Sequence, residues 1–260
     1  MIKIAVCMKQ VPAYSEGDMD EKTGLMKRSG LETITNPYDL SALEAALRIK
    51  EEANATVDVF SMGPENAEAM IKDAYAYGVD KGYLLTDSRF GGADVLVTSY
   101  TLMQGILAVN KYDLIICGKQ TTDGDTSQVS PALAKWLGLP NYQGVIKLLE
   151  ISNDGMEIHQ DLGEFIQVLK INYPCLISVN REGFVPRMPS FKGRLESKNK
   201  SVNEMSIDNL EDGDVNHYGI KGSTTKVKKI FPPKRTQAVE AQVLEGMDGA
   251  MEILSFLRKD

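Results

Sequence analysis

Residues 113–140 read DLIICGKQTTDGDTSQVSPALAKWLGLP. An apolar run ends at Gly118, a polar loop holding Asp123 and Asp125 follows, and a helical pattern then runs to Gly138 and Pro140. Strand, glycine-bearing loop and helix in that order make half of a βαβ unit, and glycine followed by proline is a usual helix stop. The loop looks built to hold a nucleotide, yet it lacks the Gly-Lys-Ser/Thr ending of a P-loop. Asp125 or Thr126 is placed to cap the helix, and Gln128, three residues after Asp125, permits a capping box. The helix N-terminus would then face a phosphate, with Thr126, Ser127 and Gln128 adding side-chain donors. One aspartate would cap while the other accepts a hydrogen bond from a ribose or base. A well-capped helix start with no ligand fits the same spacing.

The same alternation runs upstream. IKIAVCM (2–8) reads as a buried strand, and Asn36, Pro37, Tyr38 and Asp39 precede a helix with Leu40, Leu43, Ala46, Leu47 and Ile49 on one stripe. Asp39 or Ser41 is placed to cap its first turn. TVDVFSMG (56–63) is a second strand, 65–77 a helix stopping near Gly78, GYLLTD (82–87) a third strand, and about 93–110 a third helix. This order predicts an α/β fold with a doubly wound, mainly parallel sheet and right-handed crossovers. Downstream, VIKLLEI, MEIHQDL, EFIQVLKIN and CLISVN between 145 and 180 read as strands joined by short turns, an antiparallel addition to that sheet.

Beyond about 184 the periodicity fades. Residues 206–240 hold little apolar matter, and a final helix at about 243–258 carries Val243, Met247, Met251, Leu254 and Leu257 on one face. The expected division is therefore 1–190 as a nucleotide-binding domain and 191–260 as the end of a docking loop plus an extended C-terminal arm. So thin a core needs a stabiliser, either another polypeptide or the chain's own domain.

Composition narrows the function classes. A formal charge of −7 and a pI near 5.1 argue against a nucleic-acid surface. No apolar run approaches the ~18–20 residues of a membrane span, and the N-terminal run is too short for a signal peptide. Cys7, Cys117 and Cys175 sit in or beside apolar runs, as buried thiols in a reducing cytoplasm would. His159 and His217 lie near neither a cysteine nor each other, so metal-ligand spacing is absent. No GxSxG, HExxH or Cys–His pair occurs, and chemistry at this protein would come from a cofactor.

In a doubly wound sheet, ligands bind outside the carboxyl ends of the strands, at the switch in strand order. Four loops leave those ends, at 8–12, 62–64, 89–94 and 118–125, with 36–39 as a fifth candidate. FGGAD (90–94) resembles the glycine loop of ATP pyrophosphatases, but Phe90 and Val95 stand where that loop has serines, which argues against AMP-forming ligation.

VCMKQVP (6–12), NPYDLSALEAAL (36–47), SMGP (61–64), FGGADVLVTS (90–99) and CGKQTTDGDTSQV (117–129) together resemble the β subunit of electron-transfer flavoproteins. The likeness runs in order from residue 1 to about 195. It implies a heterodimer with a larger α subunit, embraced by the C-terminal arm. It also implies a nucleotide across the strand ends, AMP in housekeeping members and FAD in electron-bifurcating ones. The positions it assigns to that nucleotide are Cys7, Asn36, Pro37, Tyr38, Asp39, Met62, Gly63, Gly118, Lys119, Gln120, Asp123, Gly124, Asp125, Thr126, Gln128 and Val129. Phe90, Gly91, Gly92, Ala93, Asp94 and Thr98 would lie along the flavin, with Thr126 and Gln128 at its pyrophosphate.

DGDTSQ and KQVP are similar to the bifurcating branch, whereas Ala13 and the pair Thr121 and Thr122 depart from it. That branch implies NADH as hydride donor to a FAD in this subunit. One electron then passes to the α-subunit FAD and a flavin dehydrogenase (acyl-CoA, enoyl-CoA-type or lactate). The other passes to ferredoxin or flavodoxin. Lys9, Lys119 and Arg89 are candidate charges for tuning the flavin, and each also suits an ordinary solvated loop. By the same resemblance, 184–195 is a docking loop for the dehydrogenase, with Arg187, Met188 and Phe191 at its contact. An AMP-holding electron carrier and a nucleotide-sensing module similar to universal stress proteins remain the competing readings.

Overall fold

The computed structural model describes residues 1–13, 32–225 and 246–258. Residues 14–31, 226–245 (with Val243 of the final helix read from the sequence) and 259–260 lie outside the described residues. Strand β1 (Ile2–Cys7) opens the chain, and a ribbon of β2 (Gln10–Pro12) and β3 (Thr33–Thr35) leads into α1 (Pro37–Glu52). The alternation continues with β4 (Ala55–Met62), α2 (Glu68–Tyr77), β5 (Lys81–Leu85), α3 (Val95–Val109), β6 (Leu114–Gly118) and α4 (Val129–Leu137). Four strands follow: β7 (Asn141–Leu149), β8 (Gly155–Asp161), β9 (Ile166–Asn172) and β10 (Cys175–Val179). After them come α5 (Phe191–Ser197), β11 (Asn203–Met205), α6 (Gly219–Gly222) and α7 (Gly246–Leu257).

Among the described residues nine strands form one sheet in the order β11-β5-β4-β1-β6-β10-β7-β8-β9. From β11 to β7 every pairing is parallel, and β7, β8 and β9 pair antiparallel. The fold is the doubly wound, mainly parallel sheet with an antiparallel addition that the sequence predicts. Strand β10 corrects one detail: it is not part of the addition but lies parallel between β6 and β7. All five of its residues are buried, as a strand covered on both faces requires, whereas β9 is mostly exposed.

Helices α1 and α2 cover one face of the sheet with Leu43, Leu47, Ile49 and Ile71, while α3 and α4 cover the other with Leu102, Ile106 and Leu133. Gly78 and Gly138 end α2 and α4 in left-handed conformations, at the stops the sequence marks. Beyond residue 190 the described chain still packs on the domain. α5 rests on α2, and β11 pairs with β5 at the sheet edge. Met205, Ile207, Leu210 and Tyr218 are buried in the core shared with α3. Tyr218 is fully buried, and its hydroxyl donates to Asp212 O at 2.6 Å. Helix α7 exposes Met247, Met251, Leu254, Phe256 and Leu257. No described helix is long and apolar enough to cross a membrane.

Candidate functional site

The strand order reverses between β1 and β6: β4 and β5 extend the sheet to one side of β1, and β6 and β10 to the other. A crevice therefore opens at the carboxyl ends of β1 and β6, bordered by the loops that follow them.

Asn36 and Asp39 stitch those loops together. The Asn36 N–H donates to Lys9 O at 2.9 Å and its side-chain amide to Gln120 O at 2.9 Å. Asp39 Oδ2 accepts the Lys9 N–H at 2.8 Å, and the Gly118 N–H is a second donor to the carboxyl. Neither Asp39 nor Ser41 caps α1, contrary to the sequence reading; Asn36 is the N-cap residue and Pro37 opens the first turn. Asp39 is spent on Lys9 and Gly118 instead. A Cβ on Gly118 would lie 2.5 Å from Asp39 Oδ1 and 2.7 Å from the Tyr38 carbonyl carbon, so it is α1 that demands a glycine there. Asn36 is fully buried and Asp39 is 5% exposed. Burial pushes the Asp39 carboxyl up to about 7, against the pull of its hydrogen-bond donors and of the Lys9 ammonium. Beside them, Cys7 and Cys117 stand in register on β1 and β6. A hydrogen bond with Cys7 and burial raise the Cys117 thiol well above its ordinary value. All three cysteines are free and buried.

The loop from β6 to α4 differs from its expected form. Helix α4 begins at Val129 with no side-chain cap, so neither Asp125 nor Thr126 caps it and no capping box forms. Gln120 explains the change, because its amide donates to Asp125 Oδ1 at 2.9 Å and its oxygen accepts the Ser127 hydroxyl at 3.0 Å. Asp125 and Ser127 take φ of 48° and 54°, a left-handed conformation that costs a non-glycine residue about 1–2 kcal/mol. Strain of this kind clusters at ligand-binding sites. Thr126 and Gln128 are exposed. Ser130, in the first turn of α4, is 4% exposed and its hydroxyl has no partner among the described residues. An uncapped helix end, a buried unpaired hydroxyl and two free polar side chains form a donor set suited to a phosphate. Two more buried polar atoms without partners among the described residues, Asn36 Oδ1 and the Ser61 hydroxyl, lie where α1 begins and where β4 ends.

Of the three candidate tuning cations, two are already paired. Lys9 Nζ lies 2.6 Å from Asp123 Oδ2, so this ion pair joins the two loops that border the crevice. Burial would raise the Asp123 carboxyl, but Lys9 and Thr121 hold it below its ordinary value. Arg89 is held by Asp87 at 2.5 Å and Asp208 at 3.1 Å. Lys119 is exposed, its backbone N–H donates to Val179 O, and its side chain makes no ion pair among the described residues. The 90–94 loop is turned partly toward the chain itself. Phe90 is 4% exposed and packs on Tyr218, with ring centroids 5.4 Å apart. Asp94 caps α3 through the Val97 N–H at 3.0 Å and also accepts from Thr224 and Thr225. Met62, Gly63, Ala93, Thr98 and Val129 are half-buried, and Gly91, Gly92 and Gly124 are exposed. No group of three or more metal-ligating side chains occurs among the described residues.

The electron transfer flavoprotein domain matches residues 23–210. Electron transfer flavoprotein subunit beta of Thermoanaerobacterium thermosaccharolyticum is 40% identical over 92% of this chain and 91% of that protein. The chain belongs to the electron transfer flavoprotein family. Another relative is the caffeyl-CoA reductase-Etf complex subunit CarD of Acetobacterium woodii, 38% identical over 89% of this chain and 88% of its own. Protein FixA of Bradyrhizobium diazoefficiens is 36% identical, over 89% and 83%.

In this electron transfer flavoprotein chain, Arg187 faces inward. Its backbone N–H and Nε donate to Glu44 Oε2, at 3.2 and 2.7 Å, and its guanidinium also binds Glu51. Arg187 thus fastens the 184–190 segment to α1. Met188 and Phe191, by contrast, are 81% and 85% exposed. Ser130, Ser61 and the organising part played by Gln120 were not singled out from the sequence. The only signal for Ser130 is its place in the first turn of a helix whose loop already pointed to phosphate.

Proposed function

We propose that this electron transfer flavoprotein β subunit holds a FAD in the crevice between β1 and β6, in a heterodimer with an α subunit. The observation that carries the reading is the donor set at α4: an uncapped helix end, the buried unpaired Ser130 hydroxyl, and exposed Thr126 and Gln128. These groups would hold the pyrophosphate, while Asn36, Asp39 and the Lys9–Asp123 ion pair fix the distance between the bordering loops. FAD bound there supplies hydride acceptance from NADH and one-electron transfer, chemistry that no side chain here provides. The acceptors that would be served are the α-subunit FAD with a dehydrogenase on one side, and ferredoxin or flavodoxin on the other. Relatives named as subunits of a caffeyl-CoA reductase-Etf complex and of an acryloyl-CoA reductase support the choice of an enoyl-CoA-type partner. The apolar faces of Met188 and Phe191 would meet that dehydrogenase, with Arg187 holding their segment in place, and the chain through α7 would embrace the α subunit in a cytoplasm.

One observation favours AMP as the nucleotide instead. The loop assigned to the flavin, 90–94, is engaged by residues 219–225 of the chain itself, which suits a smaller ligand confined to the α4 end. Co-expression with the α subunit, followed by denaturation and quantification of released nucleotides, separates the two. Two FAD per heterodimer and no AMP is the expected result, and one FAD with one AMP would make this a carrier subunit. The double variant Thr126→Val with Gln128→Leu should lower nucleotide content in either case, and unchanged content would remove the assigned cradle.

A further inference from the structure

The end of the described domain chain is bolted to the 89–94 loop. Asp94 Oδ1 accepts the Val97 N–H, capping α3, while its Oδ2 accepts the Thr224 N–H and hydroxyl at 2.9 and 3.1 Å and those of Thr225 at 3.0 and 3.1 Å. The Asp94 N–H donates to the Ser223 hydroxyl at 2.9 Å, which in turn donates to Gly219 O at 2.8 Å. The Ile220 N–H donates to Gly91 O at 3.0 Å. The fit is close: Gly219 has φ of +54°, and a Cβ there would stand 2.2 Å from Arg89 O and 2.8 Å from Gly91 O. Upstream, Tyr218 buries its ring beside Phe90 and Tyr100. Asp212 Oδ2 accepts from the Tyr100 hydroxyl at 2.6 Å and stands 2.6 Å from His217 Nδ1. The Asp94 carboxylate therefore serves two clients, the first turn of α3 and residues 224–225.

We propose that Asp94 is a positioning residue that makes the 89–94 loop and the 212–225 strap a single unit, so that nucleotide affinity at the crevice depends on how the strap is held. The inference rests on the nucleotide-binding reading above. Because coupling between two sites is reciprocal, whatever holds the 212–225 strap more firmly would tighten nucleotide binding, and bound nucleotide would tighten the strap. Asp94 does not need to touch the nucleotide for this, since the strap acts through the glycines at 91 and 92.

The test uses the full chain, alone and with its α subunit. Thr224→Val with Thr225→Val removes the two hydroxyl donors at an exposed site. Asp94→Asn keeps a good helix cap while removing the charge that gathers the strap donors. Amide exchange is followed in peptides spanning 88–98 and 212–225, and FAD and AMP affinities are titrated separately. Both variants should lose protection in the two peptides together and weaken the bound nucleotide by about tenfold, within the usual range for coupled sites. Protection in β1 and β6 should stay unchanged. Loss confined to 212–225, unchanged protection in both variants, or loss in both peptides with unaltered affinity would each overturn the proposal. A wild-type chain that binds neither nucleotide, with its exchange protection intact, would instead remove the site reading, and the coupling to affinity with it.

Discussion

Asp39→Asn probes the floor of the crevice with almost no change of shape. The carboxyl accepts two backbone donors, from Lys9 and Gly118, in a site only 5% exposed. An asparagine offers one oxygen and must turn its own N–H groups toward the second donor. That leaves a buried donor unsatisfied, at a cost of about 1–3 kcal/mol. The pH dependence separates this account from a general loss of packing. Asp39 is raised from 3.8 to about 7 in the folded chain. Between those values the folded state keeps a proton that the unfolded state has released. The associated stability is full below about pH 4 and lost as pH rises through about 7, amounting to about 4 kcal/mol over the whole interval. Some 2 kcal/mol of that, to order of magnitude, falls between about pH 5.5 and 8. Asparagine carries no such slope. Urea unfolding of both chains across that range should show the wild-type advantage shrinking as pH rises. A gap that stayed constant would mean that Asp39 binds no extra proton, and a gap that widened would mean that its donors stabilise the carboxylate; either refutes the argument.

Gly118→Ala should destabilise the chain by about 1–3 kcal/mol and weaken nucleotide retention, because the new methyl group meets Tyr38 and Asp39 rather than open space; wild-type melting and affinity would refute the close approach of α1. Arg187→Ala should cost about 2 kcal/mol in urea unfolding, since Glu44, whose side chain is 6% exposed, loses its main partner and keeps only Arg48. The same variant should speed proteolysis within 184–190, and an unchanged cleavage pattern would count against its fastening role. Tyr218→Ala should cost about 3–5 kcal/mol and Tyr218→Phe about 1 kcal/mol, by loss of a fully buried ring and of one hydrogen bond; equal effects of the two would place the value in the hydroxyl alone.

The sheet was legible because its signals are local. Each early strand is a short apolar run, and Gly78 and Gly138 mark helix stops in the chain itself. The place of β10 is harder to read because CLISVN follows a hairpin and its position in the chain suggests a fourth antiparallel strand, although its unbroken apolar run differs from the exposed pattern of β9. The packing of residues 205–218 is hidden in the sequence for a different reason. Met205, Ile207, Leu210 and Tyr218 are single anchors without a period, and their partners lie more than a hundred residues upstream. At the candidate site, the loop was found but its geometry was not. Aspartate and threonine before a helix are ordinary caps, and nothing local reveals that Gln120 will hold Asp125 and Ser127 in left-handed turns. Charge pairing was equally hidden, since Lys9 meets Asp123 only once the two strands lie side by side.

The seat of β10 between β6 and β7 has a consequence for the chain as it leaves the ribosome. β7, β8 and β9 are synthesised first, yet none of them can join the parallel sheet until Cys175–Val179 has emerged to bridge them to β6. For that interval a hairpin bearing Leu162, Phe165, Ile166 and Val168, exposed even in the finished fold, has no neighbour on its inner side. Nascent chains whose emerged part ends just before residue 175 should therefore be the ones that recruit chaperones, and chains from which β10 has fully emerged should not.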